Sequence, residues 1–230
     1  MNDDTWALEQ FDGTARLFPL PNLVLFPHVV QPLHIFEPRY REMTAEALAG
    51  DRLIATCLLH DDWEKAAGDP PVHTVACLGR IVADKVLDDG RYLLLLRGLA
   101  RARIDEEFDS GRPFRTARVT LLPDSIIMPA GEPQRLRRQL ADLILPRFTS
   151  AGGDAGPLRE MFDGEMPLGA LCDCLAYQLP LPLARKQELL EEPDVAVRSS
   201  VLLSTLRQLL SGQPGTMDPP RKFPPDFSLN

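Results

Sequence analysis

Between Leu17 and Met43 the chain reads LFPLPNLVLFPHVVQPLHIFEPRYREM, and Pro19, Pro21, Pro27 and Pro32 break its apolar runs into pieces. Proline has no backbone N–H and clashes with the turn before it, so a long helix and a central strand are both excluded here. What remains is a series of brief strands whose ends or edges tolerate the missing donor. At Glu37-Pro38 the rule reverses, because proline's fixed φ suits a first helical turn. Tyr40, Met43, Ala47 and Leu48 then recur at helical spacing until Gly50 supplies a stop, which predicts a helix over residues 38–49.

A buried strand is expected from Arg52 to Leu59, followed by the turn-rich loop HDDWEKAAGDPPVH. Thr74–Leu87 and Arg91–Glu106 read as two long strands joined by Asp88-Asp89-Gly90, residues that accept the positive φ of a hairpin turn. Past Gly98, Ala100, Ala102 and Ile104 share one face while Leu99, Arg101 and Arg103 share the other. A last strand, Arg115 to Leu122, completes a mostly antiparallel sheet. With one helix against it, such a sheet should curl into a small β-barrel-like lobe.

Alternation gives way to helical spacing near Pro123–Glu132, so the expected organisation is α+β: a β-rich lobe over 14–123 and a helical bundle lobe over 130–212. Leu136, Leu140, Leu143 and Ile144 mark a helix over 132–148, ended by the Gly-rich loop SAGGDAGP. Shorter helices are expected over Leu168–Leu179 and Leu183–Glu191. Asp194 suits an N-cap for a final helix whose stripe would be Val197, Val201, Leu202, Leu206, Leu209 and Leu210. After Gly212 come Pro219-Pro220 and Pro224-Pro225, so residues 213–230 read as an extended or disordered Pro-rich tail, with Phe223 and Phe227 as candidate anchors.

The 230 residues are 44% apolar and 25% charged, an ordinary globular balance. A net charge of −8 argues against a nucleic-acid partner, whose phosphates need clustered Lys and Arg. Arg97, Arg101 and Arg103 share a strand face by period two, and read as a solvated face. The start, MNDDTWALEQ, lacks the basic and apolar regions of a secretory signal, and runs such as Tyr92–Leu96 are too short to span a membrane. A cytoplasmic location is expected, with no membrane partner. Cys57, Cys77, Cys172 and Cys174 sit in apolar contexts and read as core filler.

The segment PLHIFEPRYREM resembles the start of the Lon substrate-binding domain, above all in its stand-alone members. The resemblance continues through Gly50–Ile54, Val75–Ile81 and Leu96–Ile104, and returns at Lys186–Glu191, covering residues 14–212. It implies a PUA-like barrel, a helical second lobe, and engagement of unfolded or tagged polypeptides. The parts a Lon protease needs for catalysis do not follow. A Walker A motif places Gly before its Lys, yet Lys65, Lys85, Lys186 and Lys222 follow Glu, Asp, Arg and Arg. A Ser-Lys dyad needs a desolvated lysine, and Lys186 reads as part of a solvated charged face.

No Gly-x-Ser-x-Gly occurs, and His28 and His34 fall in the proline-broken strands as packing residues. The runner-up for chemistry is His60-Asp61-Asp62 with His73 across the loop, a set of ligand types that matches no specific metal spacing. No catalytic residue, metal or cofactor is assigned. The leading expectation is a non-enzymatic module that recognises an unfolded polypeptide or a protein partner, by apolar grooves or sheet edges. Phe36, Arg39 and Tyr40 are the candidate contact residues, at a cleft between the lobes. The alternative is an adaptor that docks on a separate ATPase or protease through the helical lobe or the Pro-rich tail.

Overall fold

The proline-broken segment forms two short strands, β1 (Thr14–Leu20) and β2 (Val30–Ile35), and α2 (Pro38–Ala49) begins on Pro38 as its fixed φ requires. They are found in a computed structural model that describes residues 3–66, 68–150 and 156–211. Ahead of β1 lies a helix absent from the sequence expectation, α1 (Asp3–Glu9). The remaining strands are β3 (Leu53–Leu58), β4 (Val75–Val86), β5 (Tyr92–Phe108) and β6 (Thr116–Leu122). The tail with Phe223 and Phe227 lies outside the described residues.

The strands form one mixed sheet in the order β2-β5-β4-β3-β1-β6, and an additional β5–β6 pairing closes it. Thus β5, β4, β3, β1 and β6 make a closed barrel, and β2 hangs on β5 as a flap. Only one named pair is parallel, β1 with β3, because the chain between them crosses over through β2 and α2. The barrel lumen is narrow. Ala15, Ala55, Ala76, Ala102 and Ala117 fill it together with Leu17, Leu53, Leu78 and Val119.

Strand β5 serves two partners by bending. Leu78 pairs with Ala100 but Gly79 with Gly98, which leaves Leu99 as the extra residue of a bulge. Gly98 is required there, since a Cβ would stand 2.1 Å from the Phe26 carbonyl oxygen.

The helical part comprises α3 (Glu132–Ser150), α4 (Gly156–Asp163), α5 (Leu168–Gln178), α6 (Leu183–Glu191) and α7 (Val195–Leu210). Helix α4 begins inside the segment expected to be a Gly-rich loop. At α7 the Asp194 carboxylate accepts from the Ala196 and Val197 amides, the expected cap. Its buried stripe, however, is Val195, Arg198, Ser199, Leu202, Leu203 and Leu206, and Val197 is exposed. Leu202 and Leu206 are shared with the expected stripe, and Val201, Leu209 and Leu210 pack partly buried against the core, while the inward-pointing Arg198 is what an apolar periodicity cannot reveal.

Barrel residues Phe18, Phe26, Ile54 and Leu96 and bundle residues Leu140, Leu171, Leu189 and Leu202 belong to one continuous apolar cluster. Within that contact the solvated-face expectation fails for Arg101, while Arg97 and Arg103 keep side chains 42% and 53% exposed. Arg101 is 2% exposed and its guanidinium meets Asp173 of α5 at 2.5 Å and Asp124 at 3.2 Å. Arg198 completes the cluster, with Asp124 at 2.7 Å and Asp173 at 3.3 Å. A charge that looks solvated along a single strand is buried once a carboxylate from another element covers it.

Candidate functional site

A sheet with one solvated face should alternate apolar and polar side chains, and β5 does not. Leu94 and Leu96 are buried in the core, yet Leu93 and Leu95 on the opposite face are also leucine and are 44% and 39% exposed. Cross-strand register puts His34 opposite Leu93, Pro32 opposite Leu95, and Val30 opposite Arg97. On the other side of β5, Lys85 stands opposite Leu93 and Ala83 opposite Leu95. Val30, Pro32, Leu93, Leu95 and Ala83 therefore form a contiguous apolar face on the outside of the flap. Phe36, itself exposed, extends it beyond the end of β2, with its ring 5.9 Å from that of His34. The sequence signal was present in Tyr92-Leu93-Leu94-Leu95-Leu96, whose lack of alternation marks a strand apolar on both faces.

The neighbouring strand edge is closed off. Pro32 supplies no N–H, its carbonyl accepts from the Gln31 side chain at 2.6 Å, and the buried Gln31 amide oxygen in turn accepts from the Tyr177 hydroxyl of α5. Proline together with a capped carbonyl protects an edge strand against uncontrolled pairing.

Arg39 and Tyr40 face a different concavity. Tyr40 is buried edge-on against Phe18 with ring centroids 4.7 Å apart, and burial pushes its hydroxyl pKa up to about 12. Arg39 stacks over the Tyr40 ring at 4.5 Å and pairs with Glu37 at 3.0 Å. Both line a pocket of about 320 Å³ whose walls also include Phe108, Phe114, Arg112 and Arg115. Arg115 is held by Glu107 through two hydrogen bonds and by the Pro70 carbonyl, and Arg112 reaches Glu46 at 2.9 Å. Each guanidinium of this pocket thus has a carboxylate partner within the fold. Phe36 and the Arg39–Tyr40 pair face separate surfaces, and Phe223 and Phe227 lie outside the described residues.

The groups considered for chemistry find structural employment. His60 and His73 stack face to face, 4.4 Å apart and 7° from parallel, so their nitrogens do not converge on a common point. His73 Nδ1 lies 3.4 Å from Glu191, and Asp62 is taken by Lys65. Among the described residues no group of three or more His, Cys, Asp or Glu side chains is placed to hold a metal. Cys57, Cys77 and Cys172 are buried, and burial pushes the Cys57 and Cys172 thiols up to about 12 and 11 and Cys77 higher still, disfavouring the thiolate.

Lys186 departs from expectation. It is half-buried, its Nζ donates to the Tyr177 carbonyl at 2.5 Å, and burial lowers its pKa to about 8. The charged residues around it in sequence, Arg185 and Glu188, pair with each other instead.

The model of the ATP-dependent protease La (LON) substrate-binding domain matches residues 14–208. The chain belongs to the Lon substrate-binding domain family. Relatives include the Lon proteases of Paraburkholderia phytofirmans, 30% identical over 85% of this chain, and of Trichlorobacter lovleyi, 28% identical over 86%. In both cases the chain spans 24% of the relative's length. Among solved structures, the Lon N-terminal domain protein from Xanthomonas campestris superposes with a TM-score of 0.60 at 25% identity, covering 87% of this chain and 99% of that one. The N-terminal domain of the Mycobacterium avium complex Lon protease gives 0.68 at 19% identity, over 84% and 98%. The barrel with its helical companion is thus the Lon N-terminal fold. No helix among the described residues is long and apolar enough to cross a membrane.

Proposed function

We propose that this Lon-type domain is a non-enzymatic recognition module that binds unfolded polypeptide segments through the exposed face of Val30, Pro32, Phe36, Leu93 and Leu95. The observation that carries the reading is the pair Leu93 and Leu95: two large apolar side chains exposed on one face of a strand whose other face is core, in a domain whose family is named for binding substrates. Isolated exposed leucines are common, but a contiguous apolar patch across neighbouring strands marks an interaction surface. Such a face suits the apolar side chains that an unfolded chain exposes and a folded one hides. It asks for no reactive group.

The test is binding of a reduced, carboxymethylated α-lactalbumin, measured by fluorescence anisotropy. Replacing Leu93 and Leu95 together by Asp should weaken binding about tenfold or more while the far-ultraviolet circular dichroism stays unchanged. Equal affinity in wild type and double variant would refute the reading.

A second reading, docking on a separate ATPase or protease, is favoured by one observation on the helical side. Ile126 and Ile127 are 61% and 81% exposed beside the Ser125–Asp194 bridge that tethers their segment to α7, where Val197 is also exposed. Aspartates at Ile126 and Ile127 should abolish co-purification of such a partner and leave polypeptide binding intact.

A further inference from the structure

Residues directly opposite one another in an antiparallel pair project from the same face of the sheet, with their Cβ atoms in contact range. Lys85 of β4 is opposite Leu93, so its side chain belongs to the apolar face, on the exposed side of the flap. Strand β3 pairs with β4 only at Cys77–Arg80, and Lys85 lies well past that stretch. One flank of Lys85 is therefore Leu93 and the other is open.

The charges on this face are all of one sign. Arg97 stands opposite Val30 and Arg80 opposite Arg97, and both guanidiniums are engaged by Asp4, at 2.9 Å and 3.5 Å. The nearby carboxylates of the hairpin are employed elsewhere: Asp84 is opposite the core residue Leu94 and pairs with Arg52 at 2.6 Å, and Asp89 pairs with Arg91 at 2.6 Å. Among the described residues no carboxylate forms an ion pair with Lys85. In a chain of net charge −8, the apolar face thus borders an ammonium with no internal counter-charge.

A polypeptide laid over Leu93 would take water from that ammonium, which costs free energy unless the polypeptide returns a negative charge. Under such a cover the dielectric falls and a carboxylate is attracted more strongly than in open water, while a second cation is repelled. We propose that Lys85 is a specificity-determining residue of the recognition face: it selects polypeptide segments that carry a carboxylate beside their apolar residues and rejects segments with a cation there. The inference rests on the polypeptide-binding reading of that face and adds the charge of the segment it takes.

The test uses three fluorescein-labelled peptides that share a Leu-Val-Phe-Leu core in a glycine-serine context and carry aspartate, asparagine or lysine beside the core. Wild type should bind the aspartate peptide about threefold more tightly than the asparagine one and the lysine peptide more weakly by a similar factor. The spread should shrink as salt screens the pair. Lys85→Glu should reverse the order, and Lys85→Met should bind all three within about twofold of one another. If wild type binds the three peptides alike, or if either variant keeps the wild-type order, the role of Lys85 is overturned and the apolar face stands. Equal binding by wild type together with self-association of Lys85→Met would assign the lysine instead to guarding an open strand edge. If no peptide binds wild type, both readings fall.

Discussion

Arg101 on β5 and Asp173 on α5, 72 positions apart in the chain, meet through two hydrogen bonds with the guanidinium 2% and the carboxylate 0% exposed. The pair ties the barrel to the helices, and Arg101 Nε adds a bond to the Leu190 carbonyl of α6. Breaking a buried pair from one side costs about 3–5 kcal/mol when the other charge is left alone, and here it leaves that charge partly stranded, with only Arg198 for Asp173 or Asp124 for Arg101. Arg101→Leu or Asp173→Leu alone should therefore each shift the urea midpoint sharply downward. Because removing both charges removes the stranded partner, the double variant should be more stable than the sum of the singles implies, a coupling read directly from a double-mutant cycle.

Gly98 admits no side chain. An added Cβ would meet the Phe26 carbonyl at 2.1 Å and Cys77 Sγ at 3.0 Å, and the nearest obstacle is backbone rather than a movable side chain. Gly98→Ala should cost about 3 kcal/mol and disturb the β4–β5 register, visible as amide shifts confined to the bulge. At Gly111, where nothing lies within 4 Å, the conflict is of another kind, a φ of +68° that disfavours alanine through the backbone alone.

The two faces of β5 should separate stability from binding. Leu96→Ala removes a fully buried side chain and should cost about 2–5 kcal/mol. Leu95→Asp, on the exposed face, should leave the urea midpoint within about 0.5 kcal/mol of wild type and lose client binding. A large stability loss from Leu95→Asp would show that the face is covered in solution.

Lys186 should leave a mark on the pH dependence of stability. Burial lowers its pKa in the folded protein to about 8, below the ordinary lysine value of about 10.4. The unfolded chain then holds the proton more tightly, so stability rises with pH between those two values and is flat with respect to this group below about pH 8. Lys186→Met should remove that rise. The check is the difference in urea midpoint between wild type and variant at pH 7 and pH 9.5: it should move in favour of wild type at the higher pH.

Much of the fold is legible in particular residues. Pro19, Pro21, Pro27 and Pro32, the Pro38 start of α2, the Asp88-Asp89-Gly90 turn and the Asp194 cap act through the backbone of their own neighbourhood, and each appears where local chemistry places it. Helix α1 was missed because its seven residues carry little apolar periodicity and are held by Asp4, Ala7 and two distant arginines. Of the candidate surface, Phe36 and the leucine run were visible, but which leucines face water depends on the bulge at Gly98 and on pairing with β2 and β4.

The sequence by itself determined the family, through the resemblance of its motifs, and also the brief strands and the starts of α2 and α7, because these last follow from φ restriction, missing donors and capping over a few residues. Only the tertiary structure decided the fate of Arg101, Arg198 and Lys186, which are charged and look solvated along their own elements. It buried the two arginines against Asp124 and Asp173 and half-buried the lysine against the Tyr177 carbonyl, while leaving Leu93, Leu95 and Trp6 in water. The physical reason is that the free energy of a charge or an apolar side chain is set by what covers it, and the covering groups come from far along the chain.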